Sequence, residues 1–198
     1  NVFAYNSATH GGDGFFLYAG DETLKVTGTG GCNRNVLYKN DFSYAVTNGI
    51  EATFSDQNVF LGNKLSHCDH GIWGGYSANT LIAENKIDHC RIGIAIEHGR
   101  ENRIVRNQFG DNTTGIHLWW DDDKDLVASE YGRKRDTNSQ KEMMEFNEFK
   151  SCKTAPLANH SQDLEFSSNT LEACETIARL TGRTTVTSLG FSENHAAM

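Results

Sequence analysis

Apolar and polar residues alternate along this chain in short segments, and the segments recur at a fixed interval. The stretch ENKIDHCRIGIAIEHG starts at Glu84, and similar stretches start 22 residues earlier at Gly62 and 22 residues later at Arg106. An asparagine marks each repeat, and the marker asparagines are Asn6, Asn40, Asn63, Asn85, Asn107, Asn147 and Asn169. A glycine before an isoleucine or phenylalanine marks the repeat again, at Gly14, Gly49, Gly71, Gly93 and Gly115. Because a fixed period of this size is typical of solenoids, the pattern predicts about seven to eight stacked coils of ~22 residues.

The apolar residues fall into three columns relative to these markers. One column lies three residues before each marker asparagine, at Phe3, Leu37, Phe60, Ile82, Ile104, Met144 and Phe166. A second lies two residues after most of these asparagines, and a third directly follows the marker glycines. Short alternating segments bounded by Asn, Gly and Ser are typical of strands rather than helices. Since one repeat cannot bury its apolar residues alone, we expect stacked coils with three strands each, which is a parallel β-helix.

The repeat N-x-[FIL]…GI resembles that of the pectate-lyase-like family of carbohydrate-active proteins, over essentially the whole chain. The resemblance implies an all-β fold, a right-handed parallel β-helix (solenoid), with residues 1–198 as a single domain. It also implies a polysaccharide as partner and a secreted, periplasmic or cell-surface location. The chain lacks the Gly-His-Gly motif that accompanies the paired aspartates of polygalacturonases, and the Asp-Pro-His motif of the epimerases. No catalytic residue can therefore be transferred from a relative.

Charge and composition narrow the choice of partner. The net charge is −8 and no basic stripe runs along the chain, which argues against a nucleic-acid partner because phosphate contacts need clustered Lys and Arg. No run of about 18 apolar residues is present, so no membrane span is expected. Since the first repeat is incomplete, we expect the sequence to be a segment of a longer protein that could carry other domains.

Three polar or thiol columns are predicted to have structural roles. Four cysteines lie five residues after a marker asparagine: Cys68, Cys90, Cys152 and Cys174. We expect an inward column of free thiols, with a disulfide or a metal site as alternatives. His67, His89 and Asp111 precede this column, and alternation turns them outward, so a surface ladder is expected there rather than a zinc site. The marker asparagines are expected to stack as a ladder at a corner of the coil, because asparagine bonds its own turn.

Candidate site residues lie where the repeat varies. Alternation turns the residue two places after each marker glycine outward, which gives the column Phe16, Glu51, Trp73, Ala95 and His117. The position four places after the glycine gives Tyr18, Thr53, Gly75, Glu97 and Trp119. Such a mixture of rings and carboxylates is unusual for a solvated structural face. We therefore expect a polysaccharide site, with Glu51 accepting hydroxyl hydrogen bonds and four rings stacking on sugars: Trp73, Trp119, Tyr18 and Phe16.

Two insertions leave the repeat after the same strand of the coil. Residues 21–34 follow the first coil and residues 122–141 follow the fifth. Long insertions inside a compact repeat are often functional. We expect them to form two walls of a cleft, with coils 2 to 4 as its floor.

The carboxylates of this face suggest a reaction. Glu97 and Asp121 lie one coil and two residues apart, which predicts ~8 Å between their Cα atoms. Inverting glycosidases hold their two carboxyl groups ~6.5–9.5 Å apart, with room for a water. Glu97, partly desolvated by Trp119, is the predicted general acid of a hydrolase, Asp121 is the predicted base, and no cofactor is required.

Other interpretations stay open at this point. A lyase or epimerase would use His117 or Tyr18 as the base, with a Ca²⁺ ion held by Glu97 and the aspartate run 121–123. A non-catalytic glycan-binding or surface-adhesion module would use only the aromatic face. A purely structural interpretation has Glu97 and His98 capping a strand, while the aspartate run solvates a loop.

Overall fold

The structure is a computed structural model that describes residues 1–18, 21–28 and 31–193. Its strands form two parallel sheets. The seven-stranded sheet contains β2 (Phe15–Tyr18), β4 (Asn48–Thr53), β7 (His70–Trp73), β10 (Ile92–Glu97), β13 (Thr114–Trp119), β16 (Thr154–Asn159) and β18 (Arg179–Thr181). The twelve-stranded sheet contains β1 (Val2–Ala4), β3 (Val36–Tyr38), β5 (Val59–Leu61), β6 (Lys64–Ser66), β8 (Leu81–Ala83), β9 (Lys86–Asp88), β11 (Arg103–Val105), β12 (Gln108–Gly110), β14 (Met143–Glu145), β15 (Glu148–Lys150), β17 (Leu164–Glu172) and β19 (Val186–Glu193).

Neighbouring strands in each sheet come from consecutive coils. In the seven-stranded sheet, for example, Ile72 pairs with Ile94, and Ile94 pairs with Ile116. All three side chains are fully buried in the core of the coil. Because equivalent residues pair from coil to coil, the apolar columns become continuous internal ladders. The predicted parallel β-helix is confirmed.

The marker asparagines form a hydrogen-bonded ladder at the bend between two arms of the twelve-stranded sheet. Each side-chain Nδ2 donates to Oδ1 of the marker asparagine in the next coil, at 2.9–3.0 Å from Asn6 to Asn169. Each Nδ2 from Asn40 onward also donates to a backbone carbonyl, such as Leu37 O from Asn63 at 2.9 Å. This ladder satisfies amides that would otherwise be buried without partners. The predicted structural role of the marker asparagines is confirmed.

A second polar column ends on a buried carboxyl group, Glu142. Asn102 Nδ2 donates to Glu142 Oε1 at 3.0 Å, and the Glu142 side chain has no solvent exposure. Within the residues that the structure describes, Glu142 Oε2 has no hydrogen-bond partner. Burial raises the pKa of Glu142 to about 8. Gly99 packs directly against this carboxyl group, since a Cβ atom at Gly99 would lie 2.7 Å from Glu142 Oε1.

The cysteine and histidine columns also follow the sequence pattern. Cys68, Cys90 and Cys152 are buried in the core as predicted, and all five cysteines are free thiols. Cys174, in the last coil of the column, is only half-buried, which differs from the expected burial. On the surface, the His67 and His89 rings stack at 4.6 Å between centroids, and Asp111 lies 4.0 Å from His89. The predicted surface ladder is confirmed.

The two insertions contain the helices. The first insertion holds α1 (Asp21–Thr27), and the second holds α2 (Lys124–Val127) and α3 (Glu130–Lys134). Part of the predicted insertion 21–34, namely residues 29 and 30, lies outside the described residues, as does the end of the predicted partial eighth coil from residue 194.

Candidate functional site

The outer face of the seven-stranded sheet carries the residues that the sequence pattern singles out. The register aligns Phe16 with Glu51, Glu51 with Trp73, Trp73 with Ala95 and Ala95 with His117. In the second column, Tyr18 pairs with Thr53 and Glu97 pairs with Trp119. Both predicted columns therefore exist, side by side on one face.

Aromatic rings gather at the centre of this face. The indoles of Trp73 and Trp119 meet edge to face, with 5.4 Å between their ring centroids. The His117 ring stacks on Trp119 at 4.5 Å. Ala95 pairs with both Trp73 and His117 and is fully buried although it faces outward, because its small side chain lets the rings close over it.

A cleft of about 440 Å³ lies beside these rings and is here called the sheet cleft. Its floor comes from Glu51, Thr53, Trp73, Gly75 and Glu97. The remaining lining residues come from the corner of the coil and from the insertions: Phe54, Tyr76, Lys25, Asp123, Asp125 and Leu126. The cleft thus combines an indole and two carboxylates on its floor with a wall made by both insertions.

The predicted pair of separate walls is wrong. Lys134 Nζ of the second insertion donates to the Thr27 carbonyl of the first at 2.9 Å. A small apolar cluster joins both insertions to the corner of the coil, through Leu24, Leu126, Tyr131, Phe54 and Tyr76. Burying this apolar surface favours packing the helices together over the corner, so they form one wall along a single edge of the sheet.

Rings at this corner form a column that the alternation pattern does not reveal. Phe54, Tyr76 and His98 each lie five residues after a marker glycine and adopt left-handed φ angles of 53°, 54° and 51°. The Phe54 and Tyr76 rings stack at 5.0 Å, and the Tyr76 and His98 rings at 4.4 Å with an angle of 8° between them. Trp120, which follows β13, tilts against His98 at 5.9 Å. The aromatic residues at this fixed offset were the available sequence signal for Tyr76 and His98.

Glu97 and Glu51 are the two carboxyl groups on the cleft floor. Burial raises the pKa of Glu97, the negative charge of Asp121 raises it further, and a hydrogen bond from the Trp119 indole opposes both. Burial likewise raises the pKa of Glu51. Glu51 is held by Asn48 Nδ2 at 2.8 Å and by Thr53 Oγ1 at 3.0 Å.

Asp121 lies closer to Glu97 than the predicted inverting pair requires. One carboxylate oxygen of each residue, together with a ring nitrogen of His98, lies within 4.8 Å of the others. Inverting enzymes hold their carboxyl groups ~6.5–9.5 Å apart. The two carboxylates therefore lie closer together than the predicted inverting pair, because Asp121 Oδ1 turns back to His98 Nε2 at 3.1 Å.

The aspartate run does not converge on one ion. Asp122 pairs with Lys124 at 3.4 Å on the surface. Asp123 accepts a hydrogen bond from the Tyr76 hydroxyl at 2.7 Å and caps α2 by accepting from the Leu126 amide at 3.3 Å. A Ca²⁺ site built from Glu97 and the whole run 121–123, as the lyase interpretation requires, does not fit these positions.

The other predicted site residues lie outside the cleft lining or support it. His117 Nε2 donates to Asn159 Oδ1 at 3.2 Å, and burial lowers the pKa of His117, so its ring is neutral near pH 7. Phe16 and Tyr18 stack on each other at 5.5 Å on the first coil and are 53% and 38% exposed. The structure therefore brings together Glu51, Trp73 and Glu97, with Trp119 adjoining them.

Comparisons with known proteins agree with this architecture. Residues 1–129 match the family model described as right handed beta helix region. Among solved structures, the mannuronan C-5 epimerase AlgE6 A-module of Azotobacter vinelandii matches with a TM-score of 0.72 and 16% sequence identity, over 99% of this chain and 58% of that chain. This chain thus spans little more than half the length of that module, and at this identity the likeness concerns the fold alone. A search of curated protein sequences gave no significant match. None of the helices in the described part of the chain is long and apolar enough to cross a membrane.

Proposed function

We propose that this chain, which belongs to the family of right-handed β-helix proteins, binds a polysaccharide in the sheet cleft and cleaves its glycosidic bonds there. The observation that carries the proposal is the cleft floor, where Trp73 and the adjoining Trp119 lie next to Glu51 and Glu97. An indole offers a flat apolar surface to the C–H face of a sugar ring. Carboxylates accept hydrogen bonds from the sugar hydroxyls and supply proton transfer.

Glu97 is the residue that we assign to proton transfer. Its side chain is half-buried, receives a hydrogen bond from Trp119 and lines the cleft. Glu51, the other carboxyl group of the floor, belongs to the second coil, whereas Glu97 belongs to the fourth, so ~10 Å of coil rise separates them. A sugar lying along the sheet over Trp73 would contact both. With two further positions along the strand, their Cα atoms lie ~12 Å apart, which is wider than an inverting pair, so we assign Glu51 to binding sugar hydroxyls rather than to the reaction.

Hydrolysis is favoured over elimination and epimerisation by the charge of the cleft. Glu51, Glu97, Asp123 and Asp125 line it, and a polyuronate would bring further negative charges against them. A neutral glycan has no such penalty. The AlgE6 A-module, with its similar fold, is named as a mannuronan C-5 epimerase, which supports a polysaccharide partner and keeps epimerisation as the alternative reaction. A polysaccharide substrate also supports a secreted or cell-surface location.

The test is a glycan panel with separate readouts for each reaction. Release of reducing ends indicates hydrolysis, absorbance from new double bonds indicates elimination, and a changed uronate composition indicates epimerisation. Glu97→Gln should lower kcat by about 10²–10⁴-fold and leave the Kd for the glycan nearly unchanged, since it keeps the shape but removes the transferable proton. Trp119→Ala should instead weaken glycan binding by about tenfold.

Matched control variants lie on the twelve-stranded sheet. Glu148→Gln and Phe146→Ala change an exposed carboxylate and an exposed ring there, and both should behave as the wild type. Full activity in Glu97→Gln would refute its assigned role. Glycan binding that depends on Trp119, without any product, would identify a non-catalytic binding or adhesion module.

A further inference from the structure

We infer that Glu97, His98 and Asp121 together bind a divalent transition-metal ion such as Zn²⁺. Each offers one ligand atom, and the three atoms lie within 4.8 Å of one another. Two carboxylate oxygens and one imidazole nitrogen are ligand types that Zn²⁺ accepts. Glu97 ends β10 and His98 directly follows it, while Asp121 follows β13 in the next coil, so the β-helix itself brings the ligands together.

The two ring nitrogens of His98 have different neighbours. The His98 side chain is fully buried, and its Nδ1 lies 2.7 Å from the backbone carbonyl of Thr137. A carbonyl only accepts, so the Nδ1 hydrogen must be donated there. The backbone N–H of Asp121 points toward Nε2 at 3.5 Å.

The other ring nitrogen, Nε2, faces the Asp121 carboxylate. Asp121 Oδ1 lies 3.1 Å from His98 Nε2, a distance at which either a proton on Nε2 or a cation bound by both atoms holds them together. Two ligands at ~2.0–2.2 Å from one tetrahedral Zn²⁺ ion are roughly 3.3–3.5 Å apart. The observed distance lies within a few tenths of an ångström of that spacing.

The contacts of the His98 ring resemble those of metal-binding histidines in other proteins. Metal-binding histidines donate their second ring N–H to a carbonyl or carboxylate, which fixes the tautomer and the ring orientation. Thr137 supplies that carbonyl from the second insertion. The Tyr76 ring lies parallel to the imidazole at 4.4 Å and restricts its rotation. Glu97 can approach the ion by rotating about its side-chain torsions.

The ligand set selects a class of ion. Ca²⁺ and Mg²⁺ prefer oxygen ligands alone, whereas an imidazole with carboxylates suits Zn²⁺ and the neighbouring first-row ions. The inference rests on the geometry of this cluster and not on the proposed function. A Glu97 oxygen bound to the ion cannot carry the proton, so Zn²⁺ should inhibit the proposed hydrolysis.

The test is a titration of chelator-treated protein with Zn²⁺ in the absence of glycan. Binding is measured by isothermal calorimetry and by the change in melting temperature. We expect one saturable site and a rise in the melting temperature on binding. Asp121→Asn, a change at a half-exposed side chain, should weaken Zn²⁺ binding by about tenfold or more. Asp122→Asn is the matched control next to it and should bind as the wild type does. Co²⁺ should give visible absorption bands in the wild type that Asp121→Asn loses.

Three results would overturn the inference. The first is the absence of saturable Zn²⁺ binding in the wild type. The second is equal binding in Asp121→Asn and Asp122→Asn. The third is loss of binding in His89→Asn, which would move the ion to the surface ladder of His67 and His89. Because no glycan is present, each of these results leaves the proposed function untouched, and an inactive glycan panel leaves the metal site untouched.

Discussion

Replacing Glu142 by glutamine should remove a large part of the pH dependence of unfolding. Burial raises the pKa of Glu142 from the usual 4.5 to about 8. Below about pH 4.5 the group is protonated in both the folded and the unfolded chain and has no effect on the difference. As the pH rises toward 8, the unfolded chain releases this proton while the folded chain keeps it, so the free energy of unfolding falls. Above the folded pKa the loss is complete.

The magnitude follows from the size of this shift. At 1.36 kcal/mol per pKa unit, the change from 4.5 to about 8 corresponds to roughly 5 kcal/mol between acidic and alkaline pH. This is an upper value, because an ionised Glu142 would draw water or donors toward it. Glutamine keeps an oxygen for Asn102 but places an amide where Oε2 had no partner among the described residues. That unpaired group costs about 1–3 kcal/mol at every pH.

Urea unfolding of both proteins at about pH 5, 7 and 9 measures the effect. We expect Glu142→Gln to be less stable than the wild type near pH 5 and more stable near pH 9. Glu148→Gln, at an exposed position on β15, is the control and should follow the wild type. The reasoning is refuted if the difference in unfolding free energy between Glu142→Gln and the wild type stays constant across this range.

Two further predictions concern the ladder and the wall of the cleft. Asn107→Ala should lower the free energy of unfolding by about 3 kcal/mol or more, because Asn107 is fully buried and bonds Asn147 and the Ile82 carbonyl; urea unfolding measures this, and a loss no larger than that of exposed Asn138→Ala would contradict it. Tyr76→Phe should keep the ring stack but lose the hydrogen bond to Asp123, so amide exchange in residues 122–141 should accelerate as about 1.5–3 kcal/mol of local stabilisation is lost. Unchanged exchange there would show that this bond does not hold the insertion.

The coil and the outward columns could be predicted because both depend on simple periodicities. A repeat of ~22 residues fixes which residues stack, and alternation along a strand fixes which side chains face outward. Glu51, Trp73 and Glu97 were placed on one face by these rules alone. These rules apply only within a strand. His98 is a corner residue with a left-handed φ angle, and alternation does not predict which way its side chain points.

The placement of the two insertions as one wall could not be predicted, for a different physical reason. Their helices are short, and their position depends on apolar contacts with Phe54 and Tyr76 rather than on any local pattern. Where Asp121 points depends in turn on His98, which the insertion holds through Thr137. Side chains whose orientation is set by such contacts need the tertiary structure.

The asparagine ladder has a consequence for how this molecule can change over evolutionary time. It joins Asn6 to Asn40 across 34 residues and Asn107 to Asn147 across 40 residues with the same bond that joins coils 22 residues apart. The stacking of the coils therefore does not depend on how many residues are inserted between two marker asparagines. A new insertion can replace an old one, with a different cleft wall and a different ligand preference, while every strand keeps its neighbour. The insertions that form the cleft wall can therefore be exchanged without disturbing the coil, and transplanting the second insertion of a related β-helix into this chain would make use of this.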